Sequence, residues 1–178
     1  MHPAVFLDRD GVINRAFIRD GTPHPPASLP DLEILPHVPE ALSALKARGY
    51  SLVVVTNQPD VARGTSSREL VDSIHERLRS TLAVDAIFTC FHDDADACDC
   101  RKPKPGLLYR AAHDLGIDLP SSFMVGDRWR DVEAGKRAGC KTLFIDCGYH
   151  ERPPSSCDFR VGSLIEASRI ILAQSDSR

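Results

Sequence analysis

Two carboxylates one residue apart, Asp8 and Asp10, follow the apolar run Ala4-Val5-Phe6-Leu7 and precede Gly11. Side chains alternate along an extended chain, so a strand that keeps its geometry to its end points both acids the same way. Carboxylates paired like this can act as nucleophile and proton donor or grip a hard cation. The plain alternative is a polar exit from a strand, and an isolated Asp-x-Asp does not separate the two.

Three further groups bear on that choice. Thr56-Asn57-Gln58 offers hydroxyl, amide and backbone donors suited to phosphoryl oxygens, although Thr-Asn after a strand is also common turn chemistry. Val125-Gly126-Asp127 ends another apolar run with an acid that could complete a cation site with Asp8, whereas Asp131 suits the start of a helix. Arg101-Lys102-Pro103-Lys104-Pro105-Gly106 concentrates positive charge; a solvated basic loop is the ordinary outcome, but a bound phosphate needs such cations. Separately, Cys90, His92, Cys98 and Cys100 form Cys-x-His-x5-Cys-x-Cys. Four soft or borderline ligands in one loop suit closed, tetrahedral, structural zinc, which would hold the neighbouring Arg101 and Lys102 in place.

The bulk properties narrow the partners. The chain has 178 residues and a formal net charge of −3, enough for one domain with a sizeable core and without global attraction to nucleic acid or anionic membranes. The expected partner is a small molecule. No stretch is long and apolar enough for a membrane span, and no leader pattern opens the chain, so a cytoplasmic protein is expected. With no long heptad or evident self-complementary surface, a monomer is the expectation. Cys140, Cys147 and Cys157 lack a ligand pattern and read as ordinary thiols.

Positioning these groups requires strands that end where the chemistry begins. Apolar runs of strand length lie at Ala4 to Leu7, Leu52 to Val55, Ala86 to Phe88, Phe123 to Val125 and Leu143 to Ile145. Amphipathic helices are expected at Pro39 to Arg48, Ser67 to Leu82, Gly106 to Leu115 and Asp131 to Ala138, with a last one at Ser163 to Ala173 and a frayed tail at Gln174 to Arg178. Gly49, Gly116 and Gly139 read as left-handed caps, and Ser66 with Glu69 as a capping box. Alternating strands and helices predict an α/β, Rossmann-like three-layer sandwich around a central parallel sheet. Phe17 to Pro39 holds six prolines and reads as an irregular loop or flap, at about residues 15–36; residues 90–100 form the second interruption. Neither is large enough for a separate cap domain.

Together, the motifs DRDGVIN (Asp8 to Asn14), TNQ (Thr56 to Gln58), CRKPKPG (Cys100 to Gly106) and VGDRWRD (Val125 to Asp131), in this order, resemble those of the haloacid dehalogenase superfamily of phosphatases across nearly the whole chain. The resemblance implies that Asp8 attacks phosphorus and becomes an aspartyl-phosphate, and that Asp10 protonates the leaving alcohol and then activates water. It further implies magnesium held by Asp8, the Asp10 carbonyl and Asp127, with Thr56 and Lys102 stabilising the phosphoryl group and Arg101 touching substrate. Within the superfamily, Leu32 to Gly64 is similar to phosphatases that remove the C7 phosphate of a heptose bisphosphate for surface-polysaccharide precursors. The short cysteine loop resembles that of histidinol-phosphate phosphatases, the alternative substrate class. A non-catalytic phosphosugar-binding module is the alternative of another kind, and the intact acids and Lys102 weigh against it. By the same likeness Ala16, Phe17, Ile18 and Arg19 lie near the sugar, with Asn57, Gln58, Pro59 and Arg128 as further contacts. Pro59-Asp60 departs from the heptose pattern of serine and glycine, and proline removes a backbone donor there.

Overall fold

The computed structural model describes residues 1–176. Six parallel strands form one sheet in the order β5-β4-β1-β6-β7-β8: β1 is Ala4–Leu7, β4 Ser51–Asn57, β5 Ala86–Cys90, β6 Phe123–Gly126, β7 Lys141–Ile145 and β8 Phe159–Val161. β1 pairs with β4 on one side and β6 on the other, so chain order runs outward in both directions from this strand. Open α/β sheets bind ligands at such a switch point, beyond the strands' carboxyl ends.

Alternation along the central strands explains the layers. Val5, Leu7, Val54 and Val125 face a core completed by α1 (Val38–Ala47), α2 (Arg68–Thr81) and α5 (Leu164–Asp176). Ala4, Phe6, Val55 and Met124 face the opposite core, covered by α3 (Gly106–Leu115) and α4 (Trp129–Ala138). Both faces of β1 are therefore dry, as an apolar strand without polar alternation requires.

The expected fold and its main elements are present, with Gly116 and Gly139 in left-handed caps. Four local expectations need correction. The cap of α2 is Ser67, whose Oγ accepts from the Leu70 amide at 3.1 Å, while the Ser66 amide donates to Asp60. The proline-rich segment is not wholly irregular: β2 (Phe17–Arg19) and β3 (Thr22–His24) form an antiparallel hairpin. Asp20 and Gly21 both have positive φ in its two-residue turn, a conformation that Asp-Gly adopts readily. A two-stranded ribbon also leaves room for Pro23, opposite Ile18, which a central strand would not. β8 is the third: its three residues, one of them an exposed arginine, carry too little apolar pattern to be read as a strand. Finally, α5 continues through Asp176, so the tail is helical there; Ser177 and Arg178 lie outside the described residues. No described helix is long and apolar enough to cross a membrane.

Candidate active site

The switch point brings Asp8, after β1, beside Thr56 near the end of β4 and Asp127, after β6. The Asp8 amide donates to the Val125 carbonyl at 3.0 Å, continuing the ladder one residue past the strand. Asp8, Asp127 and Asp131 are all buried, and each offers an oxygen within 4.8 Å of the others. Lys102 reaches into this cluster from the loop before α3. Its ammonium lies 2.8 Å from Asp8 Oδ1, 2.6 Å from Asp131 Oδ1 and 2.8 Å from the Val55 carbonyl, with the side chain only 2% exposed.

Charge dominates this dry site. Burial raises the Asp8 carboxyl to about 6, with Lys102 opposing the rise and Asp131 and Asp10 adding to it. Burial, then Asp8 and Asp131, push Asp127 well above the carboxylate range. Burial works against the Lys102 ammonium too, but Asp131 and Asp8 outweigh it and hold its pKa above the ordinary value. Three carboxylates and one ammonium leave a formal charge of −2, which one divalent cation matches. Asp127 Oδ2 accepts from the Tyr149 hydroxyl at 2.6 Å, whereas the buried Asp127 Oδ1 has no partner among the described residues. An orphaned carboxylate oxygen within an acidic cluster fits a hard cation such as magnesium. Both oxygens of Asp131 are engaged, one with Lys102 and the other with the Arg128 amide at 2.9 Å. Its helix-start role therefore coexists with a place in the acidic cluster. Gly11 permits the crowding: its φ is +90°, and a Cβ there would collide with Asp127 Oδ2 and stand 2.7 Å from the Tyr149 hydroxyl.

Asp10 lies beyond the end of β1, so strand alternation no longer sets its direction. Its carboxylate accepts from Arg9 Nη2 at 2.9 and 3.0 Å, Asn14 Nδ2 at 2.9 Å and Gln58 Nε2 at 2.8 Å. Gln58 Nε2 also lies 2.9 Å from Thr56 Oγ1. The Asn57 side chain clamps the Lys102 backbone, accepting from its amide and donating to its carbonyl, both at 3.1 Å.

A cavity of about 250 Å³ opens over these groups and is lined by Asp8, Asp10, Lys102 and the turn from Thr56 to Asp60. Arg101 and Arg128 also line it; Arg101 pairs with Asp94 at 2.7 Å, and Arg128 with Glu151 at 2.7 and 2.8 Å. Ala16, Phe17, Ile18 and Arg19 do not line the cavity. The hairpin instead presents Thr22 to Pro25 to it, including His24. Arg63 and Arg130 join the lining as well, and Tyr149 grips Asp127 from a distant loop. None of these three is a site residue in the sequence reading, where Arg63 counts only within the Ala62-Arg63-Gly64 ending of the heptose-like stretch and Arg130 only within VGDRWRD. Arg63 and Arg130 look like ordinary surface charges, and nothing local to Tyr149 marks its contact.

The cysteine loop is equally defined. Ligand atoms of Cys90, His92, Cys98 and Cys100 lie within 4.8 Å of one another, with no disulfide among them. Cys90 and Cys98 sulfurs are 3.7 Å apart, those of Cys98 and Cys100 3.5 Å and those of Cys90 and Cys100 2.8 Å. Tetrahedral zinc with bonds near 2.3 Å would set sulfurs about 3.8 Å apart, so two of the separations fit as they stand and Cys90 and Cys100 would part by about 1 Å around the ion. Burial opposes ionisation of Cys98, but hydrogen bonds, first from the Arg101 backbone, lower it to about 7.

Comparison with known proteins agrees with this geometry. Residues 27–139 match the haloacid dehalogenase-like hydrolase family. The D-glycero-beta-D-manno-heptose-1,7-bisphosphate 7-phosphatase of Photorhabdus laumondii is 42% identical, over 79% of this chain and 79% of that enzyme. Its Escherichia coli K12 counterpart is 38% identical over 97% of this chain and 95% of that enzyme. Among solved structures, D,D-heptose 1.7-bisphosphate phosphatase from B. bronchiseptica, complexed with magnesium and phosphate, superposes with a TM-score of 0.80 at 29% identity, covering 97% of this chain and 99% of that one. With a matching profile over most of its length and relatives this similar, the chain belongs to the haloacid dehalogenase-like hydrolases.

Proposed function

We infer that this chain hydrolyses the C7 phosphate of D-glycero-D-manno-heptose 1,7-bisphosphate, a step toward nucleotide-activated heptose for surface polysaccharide. The observation that carries the substrate is the 38% identity, over 97% of the chain, to an enzyme of that activity. The buried Asp8, Lys102 and Asp127 group supports the phosphatase chemistry.

In this reading Asp8 attacks phosphorus. The new Asp8–phosphorus bond forms as the bond to the C7 oxygen breaks, and a proton on Asp10 passes to that oxygen. Asp10, now a carboxylate, takes a proton from the water that hydrolyses the aspartyl-phosphate, releasing phosphate and restoring both acids. Lys102 and Thr56 stabilise the phosphoryl oxygens, while Asn57 fixes the lysine's backbone. Magnesium held by Asp8, Asp127 and the Asp10 carbonyl would offset the charge of nucleophile and phosphate. Asp131, fully engaged by Lys102 and the Arg128 amide, anchors the lysine. We also assign structural zinc to Cys90, His92, Cys98 and Cys100, and sugar selection to the mouth formed by the β2–β3 hairpin, Arg101 and Arg128.

A phosphate-release panel with magnesium tests the reading, using both anomers of the heptose bisphosphate, histidinol phosphate and sugar monophosphates. The bisphosphate should lead by at least about tenfold in kcat/KM, a difference of roughly 1.4 kcal/mol in transition-state binding. The β anomer is expected to be the better of the two, because the relatives from Photorhabdus laumondii and Escherichia coli K12 are phosphatases named for it. Preference for histidinol phosphate would overturn the assignment, as would binding of the sugar without turnover.

A further inference from the structure

We propose that His75, on the buried face of α2, is a positioning residue for Asp10, acting through Arg9. Arg9 separates the two catalytic aspartates in sequence, yet its side chain is completely buried. A guanidinium stays charged and offers five donors and no acceptor, so a dry site must give it acceptors on every side. Nε and Nη2 fork onto the Asp10 carboxylate at 2.9 to 3.2 Å. Nη1 faces His75 Nε2 at 3.1 Å.

The direction of this last bond follows from chemistry. Arginine can only donate, so Nε2 accepts, and His75 is the neutral tautomer protonated on Nδ1. Burial, then Arg9, lower the His75 pKa to about 3, in keeping with that tautomer. Its neighbours on the buried face of α2 are Val71, Ile74 and Leu78, so packing alone would be served by an aliphatic side chain. Without the imidazole, Nη1 would be a buried, unpaired donor on a charged group, and the fork would have to turn to satisfy it. Asp10 would move with it, away from the position it shares with Asn14 and Gln58. His75 touches neither phosphate nor sugar; it keeps the proton donor in register with the leaving oxygen.

The inference rests on the phosphatase reading, and its test is chosen to separate the two. kcat/KM reports steps through formation of the aspartyl-phosphate. A sugar alkoxide needs the Asp10 proton in those steps, whereas p-nitrophenolate leaves without it. His75→Leu should lower kcat/KM by at least about tenfold on the best sugar phosphate and less than about threefold on p-nitrophenyl phosphate, with KM for the sugar nearly unchanged. His75→Gln, whose Oε1 can accept from Nη1, should restore most of the loss. Equal losses on both substrates, or no loss, would overturn the proposal. Should His75→Leu not fold, His75→Asn, too short to reach Nη1, gives the same ratio. Nitrogen-15 NMR of the wild-type protein at neutral pH should show His75 Nε2 unprotonated; a protonated Nε2 would overturn the relay whatever the substrate. A wild type that cleaves the aryl ester but no sugar phosphate would count against the substrate assignment alone.

Discussion

Replacing Lys102 by methionine isolates the charge that balances the acidic cluster. Methionine retains most of the apolar stem, so the change leaves little cavity and removes mainly the ammonium. That ammonium sits 2.8 Å from Asp8, 2.6 Å from Asp131 and 2.8 Å from the Val55 carbonyl, at 2% exposure. Removing one partner of a buried ion pair costs about 3–5 kcal/mol, because the remaining charge is left without compensation. In a domain of this size each kcal/mol moves Tm by about 2–4 °C, so the drop should be roughly 6–20 °C in chelator. Formal charge at the cluster would change from −2 to −3, and magnesium should therefore stabilise the variant more than the wild type. Thermal denaturation followed by circular dichroism, with EDTA and with excess magnesium, measures both effects. A Tm within about 3 °C of wild type in EDTA would refute the charge argument, since that corresponds to no more than about 1–1.5 kcal/mol. Identical magnesium shifts in the two proteins would refute the assignment of the cation to this cluster.

The other predictions address separate parts of the molecule. Asp8→Asn should reduce turnover by at least about a thousandfold while the protein stays folded, because an amide is neither anionic nor a competent nucleophile; near-normal phosphate release would end the mechanism. Tyr149→Phe should weaken magnesium binding about 10- to 100-fold by calorimetry, since it frees the second oxygen of Asp127; an unchanged Kd would show that the hydroxyl does not orient that carboxylate. Cys98→Ser should lose zinc by elemental analysis and lower Tm while retaining magnesium binding, and full zinc content would remove the cysteine-site assignment. His75 is neutral in the fold to about pH 3 but takes a proton near 6.5 when unfolded, so its stabilising contribution is present above 6.5 and lost as pH falls. Between pH 6.5 and 5 the wild type should lose roughly 2 kcal/mol relative to His75→Leu, and a pH-independent difference in unfolding free energy would contradict the buried neutral imidazole.

What could be read from sequence was what depends on local order. Val5 to Leu7 and Leu52 to Val55 are apolar on both faces, so strand, parallel sheet and location of Asp8 followed together. The four cysteine-loop residues lie within eleven positions, close enough for spacing to bring their ligand atoms together. Long-range pairing was less visible. Asp131 was legible as a helix-start acid, but not as the partner of Lys102, 29 positions earlier. Tyr149 meets Asp127 only because the loop after β7 folds back over the site. The hairpin was hidden by its prolines, although Asp20-Gly21 carries the turn signal. The turn bears directly on the site, because it puts Thr22 to Pro25, rather than Ala16 to Arg19, against the cavity.

The Asn57 clamp divides responsibility within the loop that joins the two metal sites. Cys100 and Lys102 are two residues apart, which suggests that losing zinc would also dislodge the lysine. Yet Asn57 holds the lysine's peptide groups on both sides, and three oxygens hold its ammonium, all independent of the sulfur ligands. Zinc starvation should consequently age the protein before it silences it: the loop would open to proteolysis and heat while molecules still folded kept a working phosphate cradle.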